Sequence, residues 1–302
     1  MRILFITATR LGDAVLSTGL LDHLLRTHQE ARITVACGPV AAGIFDRMPR
    51  LERRIIVDKQ KFDLHWWQLW RACRGTRWDL AVDLRGSALT LLLRARRRAI
   101  MRGGRRPGHR LTHLAGTLNL APPPGPVAWI APEDHAAASA LLPPETTLLG
   151  LGPTANWSGK IWPPDRFVTL FHALAARHPG ARAVIFGGPG ATERAAAAPV
   201  LAALPGAIDL VGGLTLPQAA ACLTRCTLFV GNDSGLMHLA ASAGTPTLGL
   251  FGPTPADEYA PAGPLTAAVL AEGRPGAAPM TDLPVAAALR AALDLLKRAR
   301  PA

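Results

Sequence analysis

Short apolar runs recur along the chain, each followed by a stretch whose apolar residues return every three or four positions. "RILFIT" reads as a strand, "AVLSTGLLDHLLRTH" as one amphipathic helix and "RITVAC" as the next strand. A further helix starts over residues 39–45, "RRIIVD" is a short strand, "FDLHWWQLWRACRG" a helix and "WDLAVDL" another strand. Short continuous apolar strands separated by helices predict a parallel sheet covered on both faces.

The rhythm breaks at "LAPPPGPVAW", residues 120–129; a helix, "PEDHAAASALL", follows, and then Pro143-Pro144. A second series begins there. "TTLLGLGP", "ARAVIFGG", "AIDLVGG", "TLFVG" and "PTLGLFG" read as strands. Between them lie the helices "PDRFVTLFHALAARHP", "TERAAAAPVLAAL" (across Pro199), "TLPQAAACLTRC" and "SGLMHLAASAG". Thr215 opens the third of these, with Pro217 in its first turn. "PVAAALRAALDLLKRAR" is a closing helix whose cationic end suits its dipole. Two successive series joined by a proline-rich break predict an α/β chain of two Rossmann-like, doubly wound domains, 1–143 and 144–302, facing a cleft.

Composition agrees with two ordinary domains: 302 residues, 49% apolar, with no signature of disorder. The apolar start "MRILFITATRLGD" is interrupted at Arg10 and Asp13, so it reads as a first strand and not a signal peptide. With no apolar run of about 20 residues, no membrane-spanning helix is expected. Cys37, Cys73, Cys222 and Cys226 lack zinc-site spacing and read as buried free thiols in a reducing compartment.

Charge changes the picture more. The net charge is +12, and 29 of the 33 basic residues are arginine. Residues 85–110 carry nine of these arginines and no acid. The stretch reads either as a solvated helix face followed by a loop or as a patch for anionic lipid headgroups or a phosphorylated acceptor. It has no interleaved aromatics and matches no helix-turn-helix or RNA-recognition pattern, so no nucleic-acid partner is expected.

Ligands of open α/β sheets bind beyond the carboxyl ends of the strands, so the residues after each strand matter most. In "TATRLGDAVLS", Gly12 allows a tight turn, and Asp13 sits where a carboxylate caps a helix or, on a cleft rim, serves as a general base. In "GNDSGLMHLAASAGTPTLGLFGPT", residues 231–254, Asp233 and Ser234 read as caps, and Gly235 lets a ligand approach the backbone. A helix N-terminus of this kind suits a pyrophosphate. His238, one turn past Ser234, is either a satisfied core histidine or a ligand contact.

Lys160, one of four lysines, lies in "GPTANWSGKIWPPDRF" with the hydroxyls of Thr154 and Ser158, a set able to neutralise a phosphate. This loop is not a Walker A motif, and "GGPGATE" at 187–193 is not a dinucleotide fingerprint. Glu193 either meets a ribose or caps a helix. No D-x-D or H-E-x-x-H occurs, so no metal site is expected, and there is no G-x-S-x-G nucleophile elbow.

Four of these segments together resemble glycosyltransferase family 9, the ADP-heptose:lipopolysaccharide heptosyltransferases and relatives. They are "RILFITATRLGDAVLSTGLLDHL", "WDLAVDLRGS", "GPTANWSGKIWPPDRF" and "NDSGLMHLAASAGTPTLGLFGPT", in order between residues 2 and 254. The resemblance implies a GT-B architecture and an inverting, metal-independent transfer from an ADP-sugar, with no cofactor, to a lipopolysaccharide or other anionic envelope acceptor. It implies a cytoplasmic enzyme, peripheral at the inner membrane. Asp13 is then the base, with Gly12 and Arg85 beside it on the acceptor side. Lys160 and Thr154 hold the diphosphate, Glu193 meets the ribose, and Asp233, Ser234, Gly235, Leu236 and His238 form the rest of the donor site. Two alternatives stay open: a transferase using another nucleotide sugar, and a non-catalytic nucleotide-binding scaffold, which has no need of both Asp13 and Lys160.

Overall fold

Eleven strands form two wholly parallel sheets in the computed structural model, which describes residues 1–102 and 107–299. The first unit, Met1–Trp129, holds β1 (Arg2–Ile6), β2 (Arg32–Cys37), β3 (Leu51–Ile56), β4 (Trp78–Asp83) and β5 (Ala95–Ile100), in the order β3-β2-β1-β4-β5. Its helices are α1 (Leu11–Leu16), α2 (Thr18–Thr27), α3 (Leu64–Cys73) and α4 (Arg110–Gly116).

The second unit, from Ile130 onward, starts with α5 (Pro132–Leu141). Its strands are β6 (Leu148–Gly152), β7 (Arg182–Gly187), β8 (Ile208–Val211), β9 (Leu228–Asn232), β10 (Thr247–Phe251) and β11 (Thr266–Leu270). They lie in the order β11-β10-β9-β6-β7-β8. Helices α6 (Pro164–Ala175), α7 (Ala191–Ala203), α8 (Leu216–Thr224), α9 (Gly235–Ser242), α10 (Ala256–Tyr259) and α11 (Val285–Ala299) complete it. Each sheet begins on a central strand, winds outward and then crosses back, so strand order reverses between β1 and β4 and between β6 and β9.

Several elements differ from expectation. The single helix expected after β1 is broken at Ser17. Its hydroxyl donates to Ala14 O at 2.7 Å and lies 2.8 Å from Thr7 Oγ1, while Thr18 Oγ1 donates to Val15 O at 2.8 Å. Side-chain hydroxyls that take up local carbonyls in this way interrupt a helix. Gly12 lies inside α1 and not in a turn before it. Residues 39–45 form a 3-10 helix. The arginine run, for which a solvated helix face was one of two readings, includes β5, an edge strand. Arg98 donates back to Thr90 O and Leu93 O, and exposed charge on an edge strand discourages further pairing. Arg105 and Arg106 of the same stretch lie outside the described residues.

The division between units falls at Trp129/Ile130 and not at Pro143-Pro144. The reason is packing: α5 lies on α8, and Arg225, which ends α8, donates to Ser139 Oγ and Pro143 O. The proline-rich segment is itself docked on the first unit. Val127 N donates to Thr18 Oγ1 at 2.8 Å, and a Cβ on Gly19 would stand 2.6 Å from Pro124 O.

In the second sheet α6, α7 and α11 share one core with Leu149, Leu151, Leu228, Val230, Leu248 and Leu250. The opposite face carries three glycines around one ring. Gly150 pairs with Phe229 and Gly152 with Gly231 across β6 and β9. A Cβ would stand 3.1 Å from the Phe229 ring at Gly150, 2.7 Å at Gly152 and 2.7 Å at Gly231. The ring therefore lies flat along the sheet, meeting Phe186 edge-on with centroids 6.0 Å apart.

All four cysteines are free and buried, as expected. Burial pushes the Cys37 thiol up to about 12 and those of Cys73 and Cys222 to about 11, so they stay protonated and unreactive at neutral pH. Among the described residues no helix is long and apolar enough to cross a membrane.

The glycine-lined bed for Phe229 yields a test. Gly152→Ala should destabilise the protein by about 1–3 kcal/mol through overpacking, read from the midpoint of urea unfolding. An unchanged midpoint would show that the ring has room to move.

Candidate functional site

Each reversal of strand order has its own cluster of polar side chains. In the first unit a cleft of about 360 Å³ opens beyond the carboxyl ends of β1 and β4. It is lined by Thr9, Arg10 and Asp13 after β1, by Leu84 and Arg85 after β4 and by Met101 after β5, with Arg110 of α4 beside them. Asp13 is the third residue of α1 and caps nothing; Arg10 holds the N-cap position. Its carboxylate faces Arg110 at 3.5 Å. That contact falls outside hydrogen-bond geometry, so Asp13 Oδ1 and Arg110 Nε are both buried with no hydrogen-bond partner. A carboxylate in such a place can accept a proton from a hydroxyl, and the three guanidinium groups around it can bind an anion.

The turn that presents Arg85 is built on Asp83, which is fully buried. Its carboxylate accepts from Arg85 N at 2.9 Å, Ser87 N at 3.0 Å and Ser87 Oγ at 2.6 Å. Burial pushes the Asp83 carboxyl above its usual range, and the hydrogen bonds from Ser87 and the turn backbone offset only part of that shift.

In the second unit the loop after β6 carries Thr154 and Lys160. It is pinned by Trp162, whose backbone N–H donates to Asn232 Oδ1 at 3.0 Å and whose indole donates to Leu283 O at 2.9 Å. Lys160, ending a 3-10 turn over Ser158–Lys160, thereby meets Asp233 at 2.6 Å just after β9. Asp233 is thus an ion-pair partner and not a cap. Ser234 occupies the N-cap position of α9 without a side-chain capping bond, and its Oγ is buried with no partner.

Gly235 and Leu236 open α9, and His238 is buried one turn later. Thr154 is buried beside the end of β7, where a Cβ on Gly187 would stand 3.4 Å from its methyl. Glu193, in the first turn of α7, accepts from Gly188 N at 3.0 Å through Oε2 and so closes the glycine turn after β7. Lys160, Asp233 and Ser234 thus come together at the mouth of α9, where exposed N–H groups favour an anion.

Three residues escaped the sequence reading. Arg10 was legible only as a charge interrupting the first apolar run, and Arg110 only as the last member of a basic stretch. Thr254, within "FGPT", places a second buried, unpartnered hydroxyl shortly after β10. Its signal was its position after a strand. Unsatisfied buried hydroxyls at strand ends call for a ligand or water to complete them.

Comparison with known proteins bears on family and fold. The model of glycosyltransferase family 9 (heptosyltransferase) matches residues 109–281. Lipopolysaccharide heptosyltransferase 3 of Escherichia coli is 24% identical over 283 residues, covering 80% of this chain and 81% of that protein. A solved glycosyl transferase family 9 structure from Veillonella parvula DSM 2008 has a TM-score of 0.82 at 22% identity, covering 99% of this chain and 97% of its own. The structure of E. coli ADP-heptose lps heptosyltransferase II has a TM-score of 0.79 at 22% identity, covering 99% of each chain. These likenesses show the expected α/β GT-B fold.

Asp83 supplies a pH test. The unfolded chain ionises this carboxyl in the ordinary range near pH 4, whereas the folded protein holds its proton to higher pH. Its contribution to stability is therefore present at acidic pH and is lost as pH rises from that range through the raised folded value. D83N has no proton to lose there. The stability margin of the parent protein over D83N should be larger near pH 4 than near pH 7, measured by urea unfolding; a margin that grows with pH would contradict the assignment.

Proposed function

The chain belongs to glycosyltransferase family 9 and is a glycosyltransferase, and we propose that it transfers heptose from ADP-heptose to a lipopolysaccharide acceptor, with inversion and without a metal ion. The observation that carries this reading is Lys160, held against Asp233 at the mouth of α9 beside the unpartnered Ser234 hydroxyl. A diphosphate arriving there takes over from the Asp233 carboxylate as the counter-ion of Lys160, so the lysine is neutralised before and after binding. Thr154, Gly235, Leu236 and His238 complete the donor site, and Glu193 meets the ribose through the oxygen it does not use on Gly188.

In the first unit, Asp13 takes the proton from the acceptor hydroxyl as that oxygen bonds to the anomeric carbon. The bond from that carbon to the β-phosphate oxygen breaks, and its electron pair leaves with ADP. One displacement inverts the configuration. The charge developing on the leaving diphosphate meets Lys160 and the α9 N–H groups, which supply the positive field a divalent cation gives in other transferases. Fixed donors of this kind are worth about 3–4 kcal/mol each. Arg10, Arg85 and Arg110 around Asp13 suit an anionic acceptor, which supports a lipopolysaccharide core bearing phosphate or carboxylate groups. An acceptor of that type places the enzyme at the cytoplasmic face of the inner membrane.

Two substitutions separate binding from chemistry. Asp13→Asn should keep the fold and ADP binding while lowering turnover about 10²–10⁴-fold; full turnover would remove the base role. Lys160→Ala should weaken ADP binding about 10- to 100-fold, the loss of a charge-assisted contact. Calorimetry reads the affinity. In the parent protein ADP, and not UDP or GDP, should raise Tm; stabilisation by UDP alone would point to a different donor.

A further inference from the structure

The α3 helix and its flanks expose apolar side chains that the reaction does not use. Phe62 is 93% exposed, Leu64 50% and Trp67 55%, and Leu91 and Leu92 of the segment after β4 are 64% and 72% exposed. The two segments are one surface, since the Trp70 indole donates to Leu92 O at 3.4 Å and both pack on the core of the first unit. Each of the three tryptophans of α3 lies under a guanidinium: Arg85 over Trp66 at 4.8 Å, Arg71 over Trp67 at 5.6 Å and Arg74 over Trp70 at 5.1 Å. Between residues 59 and 77 the charges are Lys59, Lys61, Arg71, Arg74 and Arg77 against Asp63 alone.

Backbone strain helps to display this surface. Phe62 and Asp63 take φ of +57° and +55°, in the left-handed region, where a bulky aromatic residue is a costly occupant. The strained turn holds the Phe62 ring in solvent, against the gain that burying it would bring. Exposed aromatics bounded by arginines match the water–lipid interface, where a ring sits at headgroup depth and a cation meets phosphate. A symmetric dimer through the same face would set these arginines against their own copies, a like-charge juxtaposition.

We propose that this face of the first unit is a docking surface for an anionic phospholipid bilayer, with Phe62, Trp67 and Leu92 entering the headgroup–acyl boundary. Arg85 joins it to the chemistry, because the guanidinium that covers Trp66 also lines the Asp13 cleft. An acceptor carried on lipid is thereby met at the level of the membrane. The inference extends the reading that the acceptor is lipid-borne, yet its test needs no acceptor.

The full chain is floated with vesicles of phosphatidylglycerol and phosphatidylcholine, and with phosphatidylcholine alone. It should bind the anionic vesicles and release them as salt rises. The F62S/W67S/L92S variant should lose about tenfold in bound fraction, with Tm unchanged. Charge reversal at exposed positions, R71E/R74E, should give a comparable loss and guards against misfolding of the first variant. Brominated phospholipid should quench tryptophan fluorescence in the parent and much less in W67F. Absence of binding by the parent, binding by both multiple variants as strong as the parent's, or a dimer in solution that F62S/W67S/L92S dissociates would overturn the proposal. Stabilisation by ADP, read on the same samples, reports the donor site separately, so its loss would count against the transferase reading and not against docking.

Discussion

Strand direction is the constraint from which the rest follows. With every strand of a sheet parallel, all carboxyl ends share one edge, and a reversal of strand order leaves that edge open at one place in each unit. The candidate functional side chains lie in the segments that follow those ends. Asp13 follows β1, Arg85 follows β4, Thr154 and Lys160 follow β6, and Asp233 and Ser234 follow β9. Each group inherits its position from a rigid strand, and the loops that carry it are short or, as with Trp162 and Asn232, tied back to the sheet.

Within that frame, buried charge is kept in balance. Lys160 has Asp233, Arg110 faces Asp13, and Asp83 has three hydrogen bonds from its own turn. Such pairs contribute little net stability, because removing two ions from water costs about as much as their attraction returns. What they give is position. The Lys160 ammonium is held at a defined point instead of sweeping through solvent on four methylenes, and the ordering entropy of the long side chain is spent during folding and not during binding.

Much of the fold was legible because parallel strands announce themselves as continuous apolar runs; "RILFI", "RITVAC" and "TLGLF" are buried almost throughout. The misses have physical causes. β5 reads "ARRRAI", where a polar edge strand looks like a charged helix face, and β11 reads "TAAVL", alanine-rich and only half-buried. The break between α1 and α2 depends on where two hydroxyls point, which spacing does not reveal. In the candidate site, the placement of Asp13, Lys160 and Asp233 beyond strand ends was legible from motif and position. Their partners did not: Lys160 and Asp233 are 73 residues apart, and a carboxylate at a helix start resembles a cap until its counter-ion is seen.

The bed of glycines beneath Phe229 binds four positions into one heritable unit. Gly150, Gly152 and Gly231 are admissible in a buried sheet only because an aromatic ring fills the space their side chains vacate. Shrinking the ring turns three glycines into a cavity, and enlarging any one glycine displaces the ring. Descendants of this chain can therefore leave the arrangement only by changing both strands together, a path on which each single step costs stability. The strands so locked are β6 and β9, the two that flank the open edge where Lys160 meets Asp233.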